Sequence, residues 1–315
     1  MNILIIGGAG FGGSGLAHEL LKKGHKVTIL DTMAPSHAIT LKNIIEEINY
    51  LWKSTSDISR EDVEGHEVVL MLAAQADVPM GFSSPYYTVY NNVMGTVSVL
   101  EACRKAMMKQ QLQKVFIASS ANAVQYTETY PITPNHPPSP RNPYGASKGA
   151  QELMAWAWYR SFGVPIVIYR NGVIVGKGMR REIFVFKWLY NILQGKPIIV
   201  EGEPIADQTR DITHVEDTLQ AWTLGVEAER EKVVGQVFQI SYGEELTVEE
   251  IAKLCMRICG KEVPIRRLPH RPGEKGMREA FDISKARNIL GYHPEIPPEK
   301  ALQLTKEWIE TEVLV

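Results

Sequence analysis

The chain has few cysteines, and this shortage excludes two classes of protein. Three cysteines in 315 residues, of which only Cys255 and Cys259 lie near each other, are too few for the disulfide framework of a small secreted domain. They are also too few for a four-ligand zinc site, because no second Cys or His pair has a matching spacing. The sequence therefore predicts buried thiols, no metal site and a reducing compartment.

An excess of charge and a long apolar run are also missing. The 34 Lys and Arg residues nearly balance the 36 Asp and Glu residues, so no basic field exists for nucleic acid or an anionic membrane. No segment reaches the run of about 18 apolar residues of a membrane span, and the opening MNILII lacks the basic region of a signal peptide. We expect a cytoplasmic protein with a small-molecule partner and no nucleic-acid or membrane partner.

What the sequence does contain is an alternation of apolar runs and segments of helical period. NILII, VTIL, EVVLML, KVFIAS and PIVIY are apolar on both faces, which favours a parallel sheet covered by helices on both sides. The predicted fold class is α/β, a doubly wound parallel sheet of the Rossmann type, with a smaller mixed α/β lobe at the carboxyl end. We expect residues 1–170 to form the sheet domain and 171–315 the second lobe, with roughly 211–240 returning to the sheet domain. Six prolines between Glu128 and Pro143 predict a loop over the carboxyl edge of the sheet.

A glycine-rich segment, GGAGFGG, separates the first strand from the first helix. Gly7, Gly10 and Gly13 fit the spacing G-x-x-G-x-x-G, and Gly8 with the last two fits G-x-G-x-x-G. Either spacing lets backbone N–H groups approach a pyrophosphate at the positive end of a helix. Asp31 follows at the end of the second strand. A carboxylate there accepts hydrogen bonds from the ribose hydroxyl groups of a dinucleotide and repels a 2′-phosphate. The pattern therefore predicts that residues 1–170 bind NAD rather than NADP.

A tyrosine and a lysine lie four residues apart in NPYGASKG. On a helix this spacing places Tyr144 and Lys148 on one face. A phenol that is to act as a base at neutral pH needs roughly 4 kcal/mol of preference for its ionised form. A neighbouring ammonium and an oxidised nicotinamide ring both favour the phenolate. The pair therefore predicts a tyrosinate that removes a proton from an alcohol while hydride leaves the same carbon.

With these motifs in this order, the chain resembles the extended short-chain dehydrogenase/reductases that act on nucleotide sugars, and most closely the UDP-glucose 4-epimerase group. The resemblance covers nearly the whole length, through IIGGAGFGG, LAAQADV, YNNVMGTVSVLEACR, IASSANAV, PYGASK, TRDITHVED and RPGEKGMREAFDISKARNILGYHP. It implies NAD as the cofactor, a nucleotide-sugar substrate and a homodimer. The apolar residues available for the dimer contact are Met107, Met108, Trp156 and Trp158.

The resemblance also implies roles for single residues. Arg210 and Arg271 correspond to arginines that hold the substrate diphosphate, and arginine suits this role because it binds phosphate oxygens bidentately. The catalytic residues are expected to be Tyr144, Lys148 and Ser120. The expected cofactor contacts, from the motifs and the resemblance together, are Gly7, Gly10, Phe11, Gly13, Asp31, Asp57, Ile58, Ala73, Ala74, Gln75, Asn92, Ser119, Tyr144 and Lys148.

One departure from the family pattern bears on the reaction. Most relatives place a Ser or Thr beside the reacting oxygen, and this chain has Ala121 there, so that Ser120, Asn122 or a water is left to supply the hydrogen bond. Dehydratases of the family carry an Asp-Glu pair directly afterwards and decarboxylases a Glu, whereas this chain has Asn122 and Ala123. The absence of those acids favours a 4-epimerase.

Two further departures concern the substrate. Val173 replaces a usual asparagine in YRNGVIVGKG, and Gln125 replaces a usual tyrosine. The candidates for the lost substrate contact are Asn171, Lys177 and Arg180.

The sequence thus predicts an NAD-dependent nucleotide-sugar 4-epimerase that works through a transient 4-keto sugar, with a UDP-hexose as substrate. Three alternatives stay open at this point. The chain could be a nucleotide-sugar dehydratase or decarboxylase, a 4-ketosugar reductase, or an NAD-binding regulatory protein without turnover. His214 is expected to be a packed residue at a strand end rather than a catalytic one.

Overall fold

The computed structural model describes residues 1–109, 112–202 and 207–314 of the chain. The strands are β1 Asn2–Ile6, β2 Lys26–Asp31, β3 Asn49–Trp52, β4 Val68–Met71, β5 Lys114–Ser120, β6 Ile166–Asn171, β7 Val173–Val175, β8 Ile198–Glu201, β9 Thr209–Arg210, β10 Ile212–His214, β11 Gln236–Ile240, β12 Leu246–Thr247 and β13 Ile265–Leu268. The α-helices are α1 Phe11–Lys22, α2 Arg60–Val63, α3 Val78–Ser83, α4 Pro85–Val89, α5 Gly95–Ala106, α6 Pro143–Phe162, α7 Phe184–Leu193, α8 Val215–Glu227, α9 Arg230–Val233, α10 Val248–Cys259, α11 Ser284–Leu290 and α12 Pro298–Trp308.

Seven strands form one parallel sheet in the order β11-β6-β5-β4-β1-β2-β3. Alternate residues of β1 enter two different apolar clusters: Ile3 and Ile5 pack on one face of the sheet, Leu4 and Ile6 on the other. A strand buried on both faces explains why NILII has no polar alternation. The strand order reverses between β1 and β4, which is where such sheets bind ligands at their carboxyl ends. The predicted doubly wound α/β fold is confirmed.

The sheet takes its last strand from late in the chain. β11 pairs with β6 in parallel, from Gln236 opposite Val167 to Ile240 opposite Asn171. The preceding helix α8 packs against α1. The residues of the two lobes are therefore interleaved along the chain.

The second lobe has its own apolar core, built mainly from α7, α10 and α12. Fully buried core residues from these helices include Leu189, Ile251 and Leu302. Three two-stranded pairs accompany the helices: β7 with β10, β8 with β13 and β9 with β12. A capping box of Thr247 and Glu250 begins α10 at the end of β12, which pairs with β9.

The helical period of the sequence from Tyr86 to Met107 predicts one helix, but the structure divides this segment into α4, a π-helical turn over Tyr90–Met94, and α5. The proline-rich loop 128–143 packs against α6 and pairs with Phe281 through Ile132. Ile132 of this loop lies in one apolar cluster with Ala121, Ala123 and Val124, directly after β5, so the loop does lie at the carboxyl edge of the sheet, although its residues do not line the main cavity.

Two features are absent from the described residues. No helix there combines the length and the apolar character needed to cross a membrane. No group of three or more His, Cys, Asp or Glu side chains there is arranged to hold a metal ion.

Candidate functional site

A cavity of about 1230 Å³ lies between the sheet and the second lobe. Its wall includes residues from the carboxyl ends of six strands, β1 to β6, or from the loops that follow them. A pocket for one small ligand usually measures about 300 to 1000 Å³. The cavity therefore has room for a dinucleotide and a second ligand together.

The glycine-rich loop forms one end of the cavity, and its glycines are required by close backbone contacts. A Cβ on Gly13 would lie 2.3 Å from the carbonyl oxygen of Gly7, and a Cβ on Gly7 would lie 2.7 Å from the backbone nitrogen of Ala73. Gly7 also has a φ of +85°, which side chains rarely allow. The loop thus brings the N-terminus of α1 against the end of β4, and Gly10 to Gly13 line the cavity. These backbone N–H groups are suited to a pyrophosphate.

Asp31 lies beside this loop at the end of β2. One of its carboxylate oxygens accepts a hydrogen bond from the backbone N–H of Ala9 at 2.9 Å, and the other accepts one from that of Met33 at 2.9 Å. A carboxylate has about four acceptor positions, so two remain for ribose hydroxyls. These bonds fix Asp31 in place at the cavity wall.

Tyr144 and Lys148 lie in the first two turns of α6 and both line the cavity. Asn142 begins this helix, since its side-chain oxygen accepts from the N–H of Gly145 at 2.8 Å, and Pro143 occupies the first helical position. The Lys148 ammonium donates to the carbonyl oxygen of Ala118 at 2.8 Å and lies 5.9 Å from the centre of the Tyr144 ring. The pair is brought to one face as the spacing predicts.

The electrostatics of the pair differ from the expected ones. Burial raises the pKa of Tyr144, against the opposing effects of a hydrogen bond with Ser120 and the charge of Arg180. Burial also lowers the pKa of Lys148 to about 7, although Glu152 acts to raise it. Burial thus favours the neutral form of both side chains. Positive charge from a bound ligand would favour the phenolate.

A buried ion pair lies directly behind Lys148. The guanidinium of Arg170 binds both carboxylate oxygens of Glu152, at 2.9 and 2.7 Å, and the hydroxyl of Ser119 donates to the same carboxylate. Glu152 is one helical turn after Lys148 on α6, whereas Arg170 and Ser119 belong to β6 and β5. This pair fixes α6 to the sheet.

The turn after β5 presents Ser120 and Asn122 to the cavity, whereas Ala121 packs into an apolar cluster. The N–H of Asn122 donates to the hydroxyl oxygen of Ser120 at 3.2 Å, and its side-chain oxygen accepts from Asn142 at 3.1 Å. Of these two side chains, Ser120 is the one whose hydroxyl acts to lower the pKa of Tyr144.

Three arginines line the cavity on the side of the second lobe. Arg180 donates to the carbonyl oxygen of Ala76 at 2.6 Å, and Arg210 donates to that of Thr209 at 2.8 Å. Arg271 is paired with Glu201. The three guanidinium groups are held by neighbours and remain at the cavity surface.

Most of the residues named from the sequence lie together at this cavity. These are Gly7, Gly10, Phe11, Gly13, Asp31, Ala73, Ala74, Gln75, Ser119, Ser120, Asn122, Tyr144, Lys148, Asn171, Arg180, Arg210 and Arg271. Four others do not line it. Asp57 is exposed in a 3-10 turn, Ile58 packs against the sheet core, and Lys177 forms a surface ion pair with Glu312.

Asn92 is the fourth residue outside the lining, and it is fully buried behind the wall. Its side-chain oxygen accepts from the N–H of Gln75 at 2.7 Å, and its amide nitrogen donates to the hydroxyl of Ser147 at 2.8 Å. Asn92 therefore joins the loop after β4 to α6. The π-helical turn that contains it aims the side chain at both partners.

Sequence reasoning missed three parts of the wall. Lys53, Ser54 and Thr55 follow β3, and the rule that ligands bind at carboxyl ends of strands could have identified them. An aromatic stretch of α7 contributes Phe184, Phe186, Trp188 and Tyr190. Glu274 and Glu279 come from a segment far along the chain, and no local spacing connects them with Gln125, which the sequence marks only as a replaced tyrosine.

Comparison with known proteins gives a consistent assignment. The profile of the NAD dependent epimerase/dehydratase family matches residues 3–241. The chain is 30% identical to a dTDP-glucose 4,6-dehydratase of Streptomyces niveus, over 98% of this chain and 92% of that protein. It is 29% identical to a putative UDP-glucose 4-epimerase of Methanocaldococcus jannaschii, over 98% of both proteins.

A solved structure matches over nearly the whole chain. The UDP-glucuronic acid 4-epimerase of Bacillus cereus, in complex with UDP-glucuronic acid and NAD, superimposes with a TM-score of 0.88 at 27% identity, covering 98% of this chain and 99% of the other.

Proposed function

Because the chain belongs to the NAD dependent epimerase/dehydratase family, we propose that it is a nucleotide-sugar 4-epimerase, with a UDP-hexose as its substrate. The observation that carries this proposal is the turn after β5. It offers Ser120 and Asn122 to the cavity beside Tyr144, and Ala121 and Ala123 are both buried in an apolar cluster. The turn thus lacks the acid pair that the dehydratases of this family carry there, and an epimerase needs no such pair.

The residues at the glycine loop fit NAD. The close backbone contacts leave no space for a Cβ at Gly7 or Gly13, and Asp31 keeps acceptor positions for ribose hydroxyls. Bound NAD supplies a hydride acceptor and donor at the carbon of the alcohol. The positive charge of its oxidised ring also opposes the effect of burial on Tyr144.

In the proposed reaction, Tyr144 accepts the proton of the sugar 4-hydroxyl while hydride leaves C4, which gives a 4-keto sugar. The hydroxyl of Ser120, at the same cavity wall, favours the phenolate, and so does the ammonium of Lys148, 5.9 Å from the ring centre, when it is protonated. Arg210 and Arg271 retain the diphosphate while the 4-keto sugar turns in the cleft. Hydride then returns to the opposite face of C4 as Tyr144 gives back its proton, so that the reaction is a net isomerisation.

The relative from Streptomyces niveus makes a 4,6-dehydratase the second candidate. A single experiment separates the two. The purified protein is incubated with UDP-, GDP-, dTDP- and CDP-sugars without added cofactor, and the products are analysed by NMR. A C4 epimer is the expected product, whereas a 4-keto-6-deoxy sugar would replace the epimerase with the dehydratase.

The role of Tyr144 has a matched control in the same chain. Tyr144→Phe is expected to lower kcat by about 10²- to 10⁴-fold, since it removes the group that transfers the proton. Tyr126→Phe alters an exposed phenol that lies outside the cavity wall and is expected to leave the rate unchanged. Equal rates for the Tyr144→Phe variant and the parent would refute the mechanism.

We further propose a homodimer formed through α5 and α6. Leu153 and Phe162 on α6 and Met108 after α5 are exposed apolar residues, whereas Trp156 and Trp158 are partly buried against the sheet core. Leu153→Glu is expected to shift the protein towards the monomer in light scattering coupled to gel filtration. A parent protein that is monomeric at micromolar concentration would refute the proposal.

A further inference from the structure

A lysine lies at the end of the cavity that suits the adenosine ribose of NAD. Lys53 directly follows β3, and its backbone N–H donates to the carbonyl oxygen of Asp31 at 3.0 Å. Both residues line the main cavity. Within residues 1–60, all of which the structure describes, Lys53 is the only lysine or arginine of the cavity wall. A cation at this position is unexpected for NAD, because a basic residue beside the ribose accommodates the 2′-phosphate of NADP.

The turn after β2 has no cation of its own, and side chains of β3 hold it in place. Nε1 of Trp52 donates to the carbonyl oxygen of Thr32 at 2.9 Å. The hydroxyl of Tyr50 donates to the carbonyl oxygen of Met33 at 2.8 Å. Both turn residues are uncharged and belong to the cavity wall. Lys53 is therefore the side chain at this end of the wall that could neutralise a phosphate.

The ammonium of Lys53 is already bound by a carboxylate of α2. Its Nζ lies 2.8 Å from Oδ2 of Asp62, whose side chain is only 12% exposed. The backbone N–H and the hydroxyl of Ser59 donate to the same oxygen, at 2.7 and 3.1 Å. Asp62 is not part of the cavity wall. Three donors thus fix this carboxylate outside the wall, where it neutralises the lysine.

The ion pair affects the two cofactors differently. NAD brings a neutral hydroxyl group to the 2′ position, so its binding leaves the pair of Lys53 and Asp62 intact. A 2′-phosphate carries about 1.5 to 2 negative charges and would have to compete with Asp62 for the ammonium. It would also meet the carboxylate of Asp31 at the same wall.

We propose that Asp62 is a specificity-determining residue for the cofactor. It withholds Lys53 from the 2′ position of the adenosine ribose, so that the site prefers NAD to NADP. A lysine has a flexible stem of four carbons, so that its ammonium is free to turn towards the ribose once the carboxylate is removed. This inference concerns the cofactor and does not depend on the sugar reaction.

The test is a gain of binding. The dissociation constants of NAD and NADP are measured by calorimetry on protein freed of bound nucleotide. Asp62→Asn removes the charge and keeps an oxygen that accepts from Ser59. It is expected to bind NADP about fivefold or more tightly than the parent does, through a new contact between lysine and phosphate, with NAD affinity within about twofold. Structural damage would instead weaken both cofactors.

A second variant checks that the gain comes from the lysine. Lys53→Met alone is expected to keep the NAD-to-NADP ratio of the parent within about twofold. The double variant Asp62→Asn/Lys53→Met is expected to lose the gain. The gain in Asp62→Asn should also shrink in about 1 M salt, where charges separated by more than about 3 Å are screened.

A matched control comes from an ion pair elsewhere on the surface. Glu227 binds Lys23 at 2.9 Å, and neither residue lines the main cavity. Glu227→Gln releases a lysine and removes one negative charge, as Asp62→Asn does. It is expected to leave the affinities for both cofactors unchanged, which separates a local effect from a change in net charge.

Two results would overturn the inference directly. One is an unchanged NADP affinity in a folded Asp62→Asn variant, and the other is a gain that persists in the double variant. Thermal unfolding verifies the fold, with Asp62→Ala as the second variant if Asp62→Asn does not fold. Failure of both to fold would show that Asp62 maintains the structure rather than the cofactor preference, and would also refute the proposal.

Discussion

The substitution Gly145→Ala adds a single carbon atom, and we expect it to disturb the site. The α-carbon of Gly145 faces the turn after β5, and a Cβ there would lie 2.2 Å from the carbonyl oxygen of Asn122. Ordinary contact begins at 3.4 Å, so Gly145→Ala must open this contact by about 1.2 Å. The opposing atoms are backbone, which cannot rotate away. Tyr144 is the preceding residue and moves with the helix, away from Ser120.

The expected result has two parts. A displacement of about 1 Å between reacting groups costs roughly 10²-fold in rate, so kcat of the epimerisation should fall by about that factor. The free energy of unfolding should fall by about 1 to 3 kcal/mol for overpacking, less the gain of up to about 1 kcal/mol from Ala in a helix. The rate is measured by NMR, and the free energy by urea denaturation.

Gly149 gives the matched control, because it lies one turn later on the same helix. A Cβ there would meet only the side chain of Pro138, at 3.0 Å, which a shift of a few tenths of an ångström relieves. Gly149→Ala should therefore keep most of the activity. A Gly145→Ala variant as active and as stable as the parent would show that the close contact does not set the position of Tyr144.

Three other predictions address charge. The folded pKa of Lys148 is lowered by burial to about 7 and the unfolded value is about 10.4, so the unfolded state binds more protons in between. The free energy of unfolding without ligands should rise from pH 7 to about 10, and Lys148→Met should flatten that rise in urea denaturation across pH. Arg170→Met leaves Glu152 buried and unpaired, which should cost about 3 to 5 kcal/mol in the same assay, and the double variant Arg170→Met/Glu152→Met should recover much of the loss. Asp31→Asn should weaken NAD binding by about tenfold or more and reduce its preference over NADP, as measured by fluorescence titration.

The features that could be predicted from the sequence are determined by the geometry of residues close together along the chain. The apolar runs buried on both faces are sufficient to indicate the parallel sheet, and the glycine spacing marks the turn where strand meets helix. Tyr144 and Lys148 share a face because the helical period requires it. Such inferences need only neighbours along the chain.

The predicted site residues that lie outside the cavity wall are placed there by turns and by packing between distant segments. Asn92 and Asp57 stand at plausible places in the sequence, yet the π-helical turn directs the first behind the wall and the 3-10 turn exposes the second. Lys177 pairs with Glu312 from the last turn of the chain, which no local pattern indicates.

The sequence by itself determined the fold class, the turn that suits a pyrophosphate, and the tyrosine and lysine on one helical face, because each follows from the steric and periodic properties of adjacent residues. The tertiary structure alone decided how deeply those two side chains are buried. Burial raises the pKa of Tyr144 and lowers that of Lys148, so it favours the neutral form of both. It also decided that Gln125 and Glu279, 154 positions apart, meet beside Arg210 at one cavity wall. Burial and long-range contact depend on the whole packed molecule, and the order of residues along the chain records neither directly.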